Sequence, residues 1–309
     1  TDDEKFSCGI SEMLSGFVSS LMPLNLKFMP ESFVLTQDNE IYGLITVCAT
    51  CGNPCKINIT HLILNNNNYE GAKTLVNFVV QKFGAKGANN FVVLVDESHE
   101  ELLDLFINGC NFRECSSETL WKNDKPMPDE TDLNFRQAQN SDAVKICELY
   151  NSEINTIYKP SLLRNPNEFK EAFFGGFSNY YKSRFILESE QNLLGYFSVT
   201  TADNSNYILD VTTNSGYSPD YSGILSALFK EIISKRKYFY PLVKQKNYTN
   251  EASRLGEFLK SKDFYPIQTK HILVRFLPPH STGSRRMENF SHGRKQNFNI
   301  NNYFVLEII

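Results

Sequence analysis

The sequence lacks the features that mark several large classes of protein. It contains no apolar run approaching the ~20 residues that a membrane helix needs, so we expect no membrane segment. Neither sign of charge dominates, because 31 lysines and arginines stand against 35 acidic residues. This balance argues against a wholly basic nucleic-acid binder. The opening residues, TDDEK, lack the basic character of an export signal, so we expect a cytoplasmic protein.

Cysteine is too sparse for the disulfide framework of a small secreted domain, with seven residues in a chain of 309. Cys48, Cys51 and Cys55 are spaced C-x-x-C-x-x-x-C across a predicted turn. Thiolates in this spacing can bind zinc, which requires four ligands in a tetrahedron. The sequence has no second C-x-x-C to complete such a set, so we predict ordinary reduced cysteines and no metal.

An internal repeat organises the chain. The segment FVLTQDNEIYGLITV (33–47) resembles FILESEQNLLGYFSV (185–199), and both NYEGAK and DYSGIL place a glycine two residues after a tyrosine. Chance does not readily supply such an ordered set, so the chain is two copies of one unit. The residues related by one offset of 152 are Gly43 with Gly195, Gly71 with Gly223, and Phe112 with Phe264.

Periodicity predicts the same elements in each copy. Hairpin-linked strands precede an amphipathic helix, and a buried strand, a second helix and a closing strand follow. This order predicts an α+β fold with a mixed sheet that is not doubly wound. We expect domains at 1–132 and 133–277, and a polar basic tail at 278–309 that ends in an apolar strand. An apolar stripe over 10–22 predicts an N-terminal helix packed on the first domain.

Four segments of the second copy carry a family resemblance. They are LNFRQAQNSDAVKICELYN, LLGYFSV, YSPDYSGILSALFKEI and FLKSKDFYPIQTKHIL. In this order they resemble the GNAT superfamily of N-acetyltransferases, and the first copy looks like the same fold. Uncharacterised GNAT-like proteins of cyanobacteria are similar, over residues about 6–276. The resemblance implies two tandem GNAT-like mixed sheets with flanking helices, in which acetyl-CoA lies between parted strands with its diphosphate on helix-terminal amides.

The resemblance also implies where acetyl-CoA binds. On the family pattern Gln/Arg-x-x-Gly-x-Gly/Ala, the copies read NYEGAK (68–73) and DYSGIL (220–225), and each lacks one glycine. Asp220 can cap its helix, an interaction worth ~0.3–1 kcal/mol. It would also repel a phosphate 4 Å away by roughly 4 kcal/mol, so charge favours the first copy. The expected contact residues are Gly71, Ala72, Lys73, Gly223, Ile224, Leu225 and Ser226.

Acyl transfer to an amine needs a base and an acid. In the family the acid is often a tyrosine on the last helix, at positions that here hold Ile107 and Leu259. We predict Asp210, in YILDVTT, as the base and Tyr265 as a substitute acid. The alternatives that stay open are Tyr248 as the acid and His61 as a base in the first copy.

Three functions stay open. The leading one is an acetyl-CoA-dependent N-acyltransferase acting on a small-molecule or peptide amine, and its rival is a GNAT-derived binding or scaffold protein without turnover. A third is an RNA- or regulator-binding module that uses the basic tail around Arg285 and Arg294. The terminal YFVLEII (303–309) is expected to pair with an open sheet edge of this chain or of a neighbour, giving a homodimer or a protein partner.

Overall fold

A computed structural model describes residues 30–37, 40–65, 68–124, 133, 135–170, 181–190, 192–203, 205–234, 240–278 and 303–307. The N-terminal helix predicted at 10–22, the interdomain segment 125–132 and the arginines of the tail lie outside these ranges. Across the described ranges, no helix has the length and apolar character needed to cross a membrane.

The first copy alternates strands and helices as predicted. Its elements are β1 (Glu31–Gln37), β2 (Glu40–Thr50), β3 (Asn53–Asn65), α1 (Tyr69–Ala85), β4 (Asn90–Asp96), α2 (Glu100–Asp104) with a π-helical turn (Leu105–Gly109), and β5 (Arg113–Lys122).

The second copy repeats this order after a helical preface. Its elements are β6 (Arg136–Gln137), α3 (Ala143–Glu153), α4 (Lys159–Leu162), β7 (Tyr181–Ser189), β8 (Asn192–Thr201), β9 (Asn206–Thr213), α5 (Tyr221–Ile233), β10 (Tyr240–Lys246), α6 (Ala252–Ser261) and β11 (Tyr265–Phe276). Short 3₁₀ turns lie at Asn140–Asp142, Thr156–Tyr158 and Pro166–Phe169, and β12 (Tyr303–Glu307) follows in the C-terminal extension. Mixed sheets with flanking helices confirm the predicted fold class.

The two copies share local irregularities as well as element order. In each copy the first hairpin carries a register shift immediately beside the repeated glycine, at Leu35 opposite Gly43 and at Leu187 opposite Gly195. A Cβ atom on Gly195 would lie 2.5 Å from the ring of Phe197, which explains why a side chain is excluded there. The repeat read from the sequence is therefore a repeat of backbone geometry.

Two compact units divide the described residues, and their limits differ from the predicted ranges 1–132 and 133–277. Unit 1 holds the residues up to Glu114 and those from Ile272 onward, whereas unit 2 is Cys115–His271. Most of β5 consequently lies in unit 2, where it pairs antiparallel with β10. The end of β11 lies in unit 1 beside β4, and Leu277 donates its backbone N–H to Asn89. Most of β5 thus lies with the second copy, whereas β11 is divided, with residues 265–271 in unit 2 and residues 272–276 in unit 1.

Each unit has its own apolar core against its central helix. In unit 1 the predicted stripe on α1 is buried, including Leu75, Val79 and Phe83, and Leu273 of β11 joins the same cluster. In unit 2 the corresponding residues of α5 are buried against β8, β9 and β10. Helix periodicity places these side chains on one face, which fixes each central helix on its sheet.

Candidate functional site

Both units contain a pair of parallel strands that part. In unit 2, β9 and β10 pair from Asn206 with Tyr240 to Asp210 with Lys244, while both strands continue further. In unit 1, the pairing of β3 with β4 ends at Ile59 with Val93. In each unit the first strand of the pair leads into the central helix, so the two strands part next to a helix N-terminus.

The start of α5 in unit 2 is closed by an internal carboxylate. Asp220 is the N-cap, and its Oδ1 accepts a hydrogen bond of 3.0 Å from the backbone N–H of Gly223. Ile224 donates its N–H to the Asp220 carbonyl at 2.9 Å in the first helical turn. Asp220 therefore caps the helix, as predicted. This cap occupies backbone amides that a bound anion would need.

Two further carboxylates bind the loop between β9 and α5. Glu251 Oε2 accepts from the backbone N–H of Thr213 at 2.9 Å and also from the Thr213 hydroxyl. Glu153 Oε1 accepts from the backbone N–H of Ser215 at 2.8 Å. Both glutamates are almost fully buried, at 2% exposure for Glu153 and 1% for Glu251. Burial raises the pKa of Glu251. Neither residue was singled out from the sequence, because each lies far from the loop along the chain.

The loop of unit 2 is therefore a poor place for a diphosphate. Three carboxyl groups already bind its backbone donors, and a phosphate 4 Å from one unit charge of the same sign meets a repulsion of roughly 4 kcal/mol. The expected contact residues offer no side-chain compensation: Ile224 and Leu225 are fully buried in the core, and Ser226 is 5% exposed. The donor set present in unit 2 does not fit CoA.

The start of α1 in unit 1 is less hostile to an anion. Its N-cap is Asn68, whose Oδ1 accepts from Gly71 at 2.9 Å and carries no charge. Ala72 is fully buried in the core, and Lys73, the fifth residue of the helix, is half-buried. The charged side chain in the first turn is that of Glu70. Lys73 makes no ion pair with the residues that the structure describes, so its ammonium is available as a point charge.

The parted edge in unit 1 is covered by the chain itself. Strand β12 pairs antiparallel with β3 from Tyr303 opposite Asn65 to Glu307 opposite His61. Strand β2 pairs with the other edge of β3 over the same residues, so β12 lies on the edge that β4 leaves at Ile59. The expectation that the terminal segment finds an open sheet edge is met on this chain. This pairing also places His61, the alternative base, beside β12.

Asp210, the predicted base, is the centre of an ion-pair cluster. Its Oδ1 lies 2.6 Å from Lys246 Nζ and its Oδ2 lies 3.0 Å from Lys244 Nζ. Burial opposes ionisation, but the two ammonium groups outweigh it and hold the pKa of Asp210 well below its usual range. A carboxylate in this setting accepts a proton only in acid, so the geometry favours an electrostatic anchor over a general base.

Tyr265, the predicted acid, lies elsewhere in unit 2 and is 41% exposed. Its hydroxyl donates to Asp124 Oδ2 at 2.7 Å, which raises the pKa of the phenol. No described contact links Tyr265 to Asp210, so the structure does not bring the two predicted catalytic residues together as one site.

The other tyrosine considered, Tyr248, lies much nearer to the Asp210 cluster. Its hydroxyl donates to Glu118 Oε1 at 2.9 Å and lies 2.9 Å from the Tyr150 hydroxyl. Glu118 Oε2 in turn lies 3.7 Å from Lys244 Nζ. Burial first, and then the charge of Glu118, raise the pKa of Tyr248 well above its ordinary value. The only local signal for this cluster in the sequence is the run of three polar residues, KQK, at the end of β10.

The cysteines of the CATCGNPC segment give no metal site. They lie on the β2–β3 hairpin, where Gly52 makes the turn with φ 76°. Burial, and then the neighbouring Cys51, raise the pKa of the Cys48 thiol and disfavour the thiolate that a metal would need. Among the described residues, no group of three or more His, Cys, Asp or Glu side chains is arranged to hold a metal ion.

Comparison with known proteins identifies the fold. No family model and no curated protein matches the sequence. A solved structure of a tandem GNAT protein from the clavulanic acid biosynthesis pathway aligns with a TM-score of 0.57 and 12% identity, over 86% of this chain and 88% of that one. The chain has a tandem GNAT fold.

Two further GNAT-fold structures align over much of the chain. A GCN5-related N-acetyltransferase from Anabaena variabilis covers 79% of this chain and 62% of its own length, with 12% identity and a TM-score of 0.45. A protein of the same description from Sphaerobacter thermophilus covers 85% of both chains, with 11% identity and a TM-score of 0.49.

Replacing Asp210 by asparagine tests the anchoring role. Asp210→Asn leaves two ammonium groups without their carboxylate, and we expect the free energy of unfolding at pH 7 to fall by about 3 kcal/mol. Because the folded pKa is lowered, ionised Asp210 stabilises the fold fully above the unfolded pKa of about 3.9, and this stabilisation is lost as pH falls through the folded pKa. The unaltered protein and Asp210→Asn should therefore differ less in free energy of unfolding at pH 3 than at pH 7, by about 1 kcal/mol. Urea unfolding at the two pH values measures this change.

Asp220→Asn is the matched control, because asparagine caps a helix as well as aspartate does and the change should stay within about 0.5 kcal/mol. Equal effects of the two substitutions, or a difference that does not change with pH, would contradict the anchoring role of Asp210.

Proposed function

We propose that this protein is a GNAT-derived binding protein whose unit 2 does not take acyl-CoA. The fold is of the acyltransferase type, and the general function that it supports is acyl transfer or a binding role derived from it. The proposal that unit 2 does not take acyl-CoA rests on one observation. Asp220, Glu153 and Glu251 bind the backbone donors of the loop and helix start where a diphosphate would lie.

Electrostatics make this closure hard to reverse. Glu153 and Glu251 come from α3 and from the residue before α6, and both are held in the packed interior of unit 2. Moving a buried carboxylate away from its donors leaves it without hydrogen bonds, which costs several kcal/mol. Binding free energy from a CoA molecule would first have to offset that cost and the like-charge repulsion.

The second candidate is acyl-CoA-dependent N-acyl transfer confined to unit 1. The neutral cap at Asn68 and the half-buried ammonium of Lys73 favour an anion there, whereas Glu70 in the first turn opposes one. Acetyl-CoA is the implied donor, and a small-molecule or peptide amine is the implied acceptor. Since β12 pairs along the parted edge of β3, a donor that uses this edge has to displace β12.

A titration with CoA tests the assignment of the two units. We expect Ser222→Glu, at the half-buried second residue of α5, to leave the calorimetric affinity for CoA unchanged, because unit 2 does not contribute. Lys73→Glu exchanges an attractive charge for a repulsive one, and we expect at least a tenfold loss of any CoA affinity, or about 1.4 kcal/mol. Each substitution introduces a glutamate near the start of a central helix, at the fifth residue of α1 and at the second residue of α5, so each controls for the other.

Weakening of CoA binding by Ser222→Glu but not by Lys73→Glu would refute the proposal. If titration of the unaltered protein with CoA and acetyl-CoA shows no heat of binding, acyl transfer by unit 1 is refuted. The proposed function as a binding protein then remains.

Removal of residues 303–309 tests whether β12 covers the parted edge of β3 in unit 1. We expect backbone amides of residues 61–65 to exchange with deuterium faster in the shortened chain, because one edge of β3 loses its partner. Amides of β9 in unit 2 serve as the internal control and should not change. If unit 1 takes CoA, its affinity should rise in the shortened chain. Unchanged exchange at 61–65 would show that β12 does not lie on this edge in solution.

A further inference from the structure

One flank of α1 in unit 1 runs along the π-helical turn that ends at Gly109. Residues 69, 73 and 77 lie on this flank, because positions four apart share one face of a helix. Tyr69 contacts the end of α2, where its hydroxyl donates to Asp104 Oδ2 at 3.2 Å. A Cβ atom on Gly109 would lie 2.7 Å from the same hydroxyl oxygen, so the helix and the turn are in close contact at this point.

Arg275 joins the other end of the flank to the same turn. Its Nη1 donates to Asn77 Oδ1 at 3.0 Å and to the carbonyl of Cys110, the residue after the turn, at 2.7 Å. Lys73 lies on the helix between Tyr69 and Asn77, so it borders the turn as well. Burial raises the pKa of the Cys110 thiol to about 11, and the nearby charges of Arg275 and Lys73 offset part of this rise.

The flank has more hydrogen-bond donors than the described residues occupy. Arg275 uses only Nη1 for its hydrogen bonds, and no described residue accepts one from its Nε or Nη2. These two nitrogens form one edge of the planar guanidinium, and such an edge can bind an oxyanion through two parallel hydrogen bonds. Asn77 accepts through Oδ1, which leaves its amide nitrogen as a donor. Among the described residues, Lys73 has no hydrogen-bond or ion-pair partner.

The carboxylates near the flank do not neutralise its cations. Asp104 accepts hydrogen bonds from two neighbouring side chains and forms no ion pair within the described part of unit 1. Glu70 lies one turn before Lys73 on α1, but these two described residues form no ion pair either. Arg275 is half-buried, and this burial lowers the pKa of its guanidinium. A half-buried cation without a carboxylate is stabilised by an anion that reaches it.

We propose that the α1 flank, defined by Lys73, Asn77 and Arg275, binds a small molecule through a compact oxyanion, a carboxylate or a phosphate group. Arg275 supplies a two-donor edge, Asn77 supplies a neutral N–H donor, and Lys73 supplies a point charge. Asn77 lies about two turns beyond the first residue of α1, so the site is separate from the amides of the helix start. The inference goes beyond the proposed function, and it shares only Lys73 with the second candidate.

Calorimetric titration of the full chain with inorganic phosphate and with succinate, at constant ionic strength, tests the α1 flank. We expect saturable binding of at least one of the two anions. Lys73→Gln removes a charge that has no described partner, and it should weaken this binding about tenfold. The matched control is Lys86→Gln, which makes the same change at the exposed C-terminal end of α1 and should leave the affinity unchanged.

A second pair of variants tests the guanidinium itself. Arg275→Lys keeps the charge but removes the two-donor edge, so it should also weaken the binding about tenfold. Arg113→Lys makes the same change at an exposed arginine of unit 1 and should have no effect. Urea unfolding shows whether Arg275→Lys folds like the unaltered protein. If it does not, the comparison of Lys73→Gln with Lys86→Gln decides.

Binding of phosphate alone, or of succinate alone, supports the site and identifies the group that it prefers. Absence of saturable binding of both anions overturns the proposal. Unchanged affinity in Lys73→Gln or in a folded Arg275→Lys also overturns it, as does an equal loss in Lys86→Gln.

Three further results separate this site from CoA binding. If CoA does not bind while a small anion binds with the expected losses, the second candidate fails and the anion site stands. If Lys73→Glu weakens CoA binding while neither small anion binds, the anion site fails and the second candidate stands. If Ser222→Glu weakens CoA binding, the proposed function fails, and the losses in Lys73→Gln and Arg275→Lys still decide the anion site.

Discussion

Backbone N–H groups at the start of a helix need acceptors, and the choice of acceptor decides what each unit of this protein can bind. A helix N-terminus can satisfy these groups with a ligand phosphate or with its own side chains. In unit 2 three carboxylates do so, from Asp220, Glu153 and Glu251. In unit 1 the cap is the neutral Asn68. The helix start of unit 2 is thus less favourable to an anion than that of unit 1.

The position of β5 gives this asymmetry a structural setting. Most of β5 lies in unit 2, where it completes the sheet beside β10 and brings Glu118 to the Asp210 cluster. Folding of unit 2 therefore requires residues from both copies. The charged groups of unit 2 can therefore differ from those of unit 1, although the two copies share the same backbone geometry.

The fold could be predicted from the sequence because its signals are local and repeated. The glycine after each tyrosine, the apolar stripes and the Gly52 turn all specify backbone geometry within a few residues, and the helices begin at Tyr69 and Tyr221 as that repeat requires. The site could be predicted only in part. The cap at Asp220 is a local interaction and was foreseen, but Glu153 and Glu251 reach the loop from 62 and 38 residues away along the chain. The pairing of Asp210 with Lys244 and Lys246 also depends on strand register, which one strand's sequence does not reveal.

The most direct test follows the backbone amides of the unit 2 loop by ¹⁵N NMR during titration with CoA. Thr213, Ser215 and Gly223 donate their N–H groups to the three carboxylates, and their resonances report whether a diphosphate takes those donors. If the three carboxylates keep these donors, the three signals hold their positions at every CoA concentration, whatever the signal of Gly71 does. Saturable shifts of all three, with an affinity equal to that of CoA binding, would contradict it.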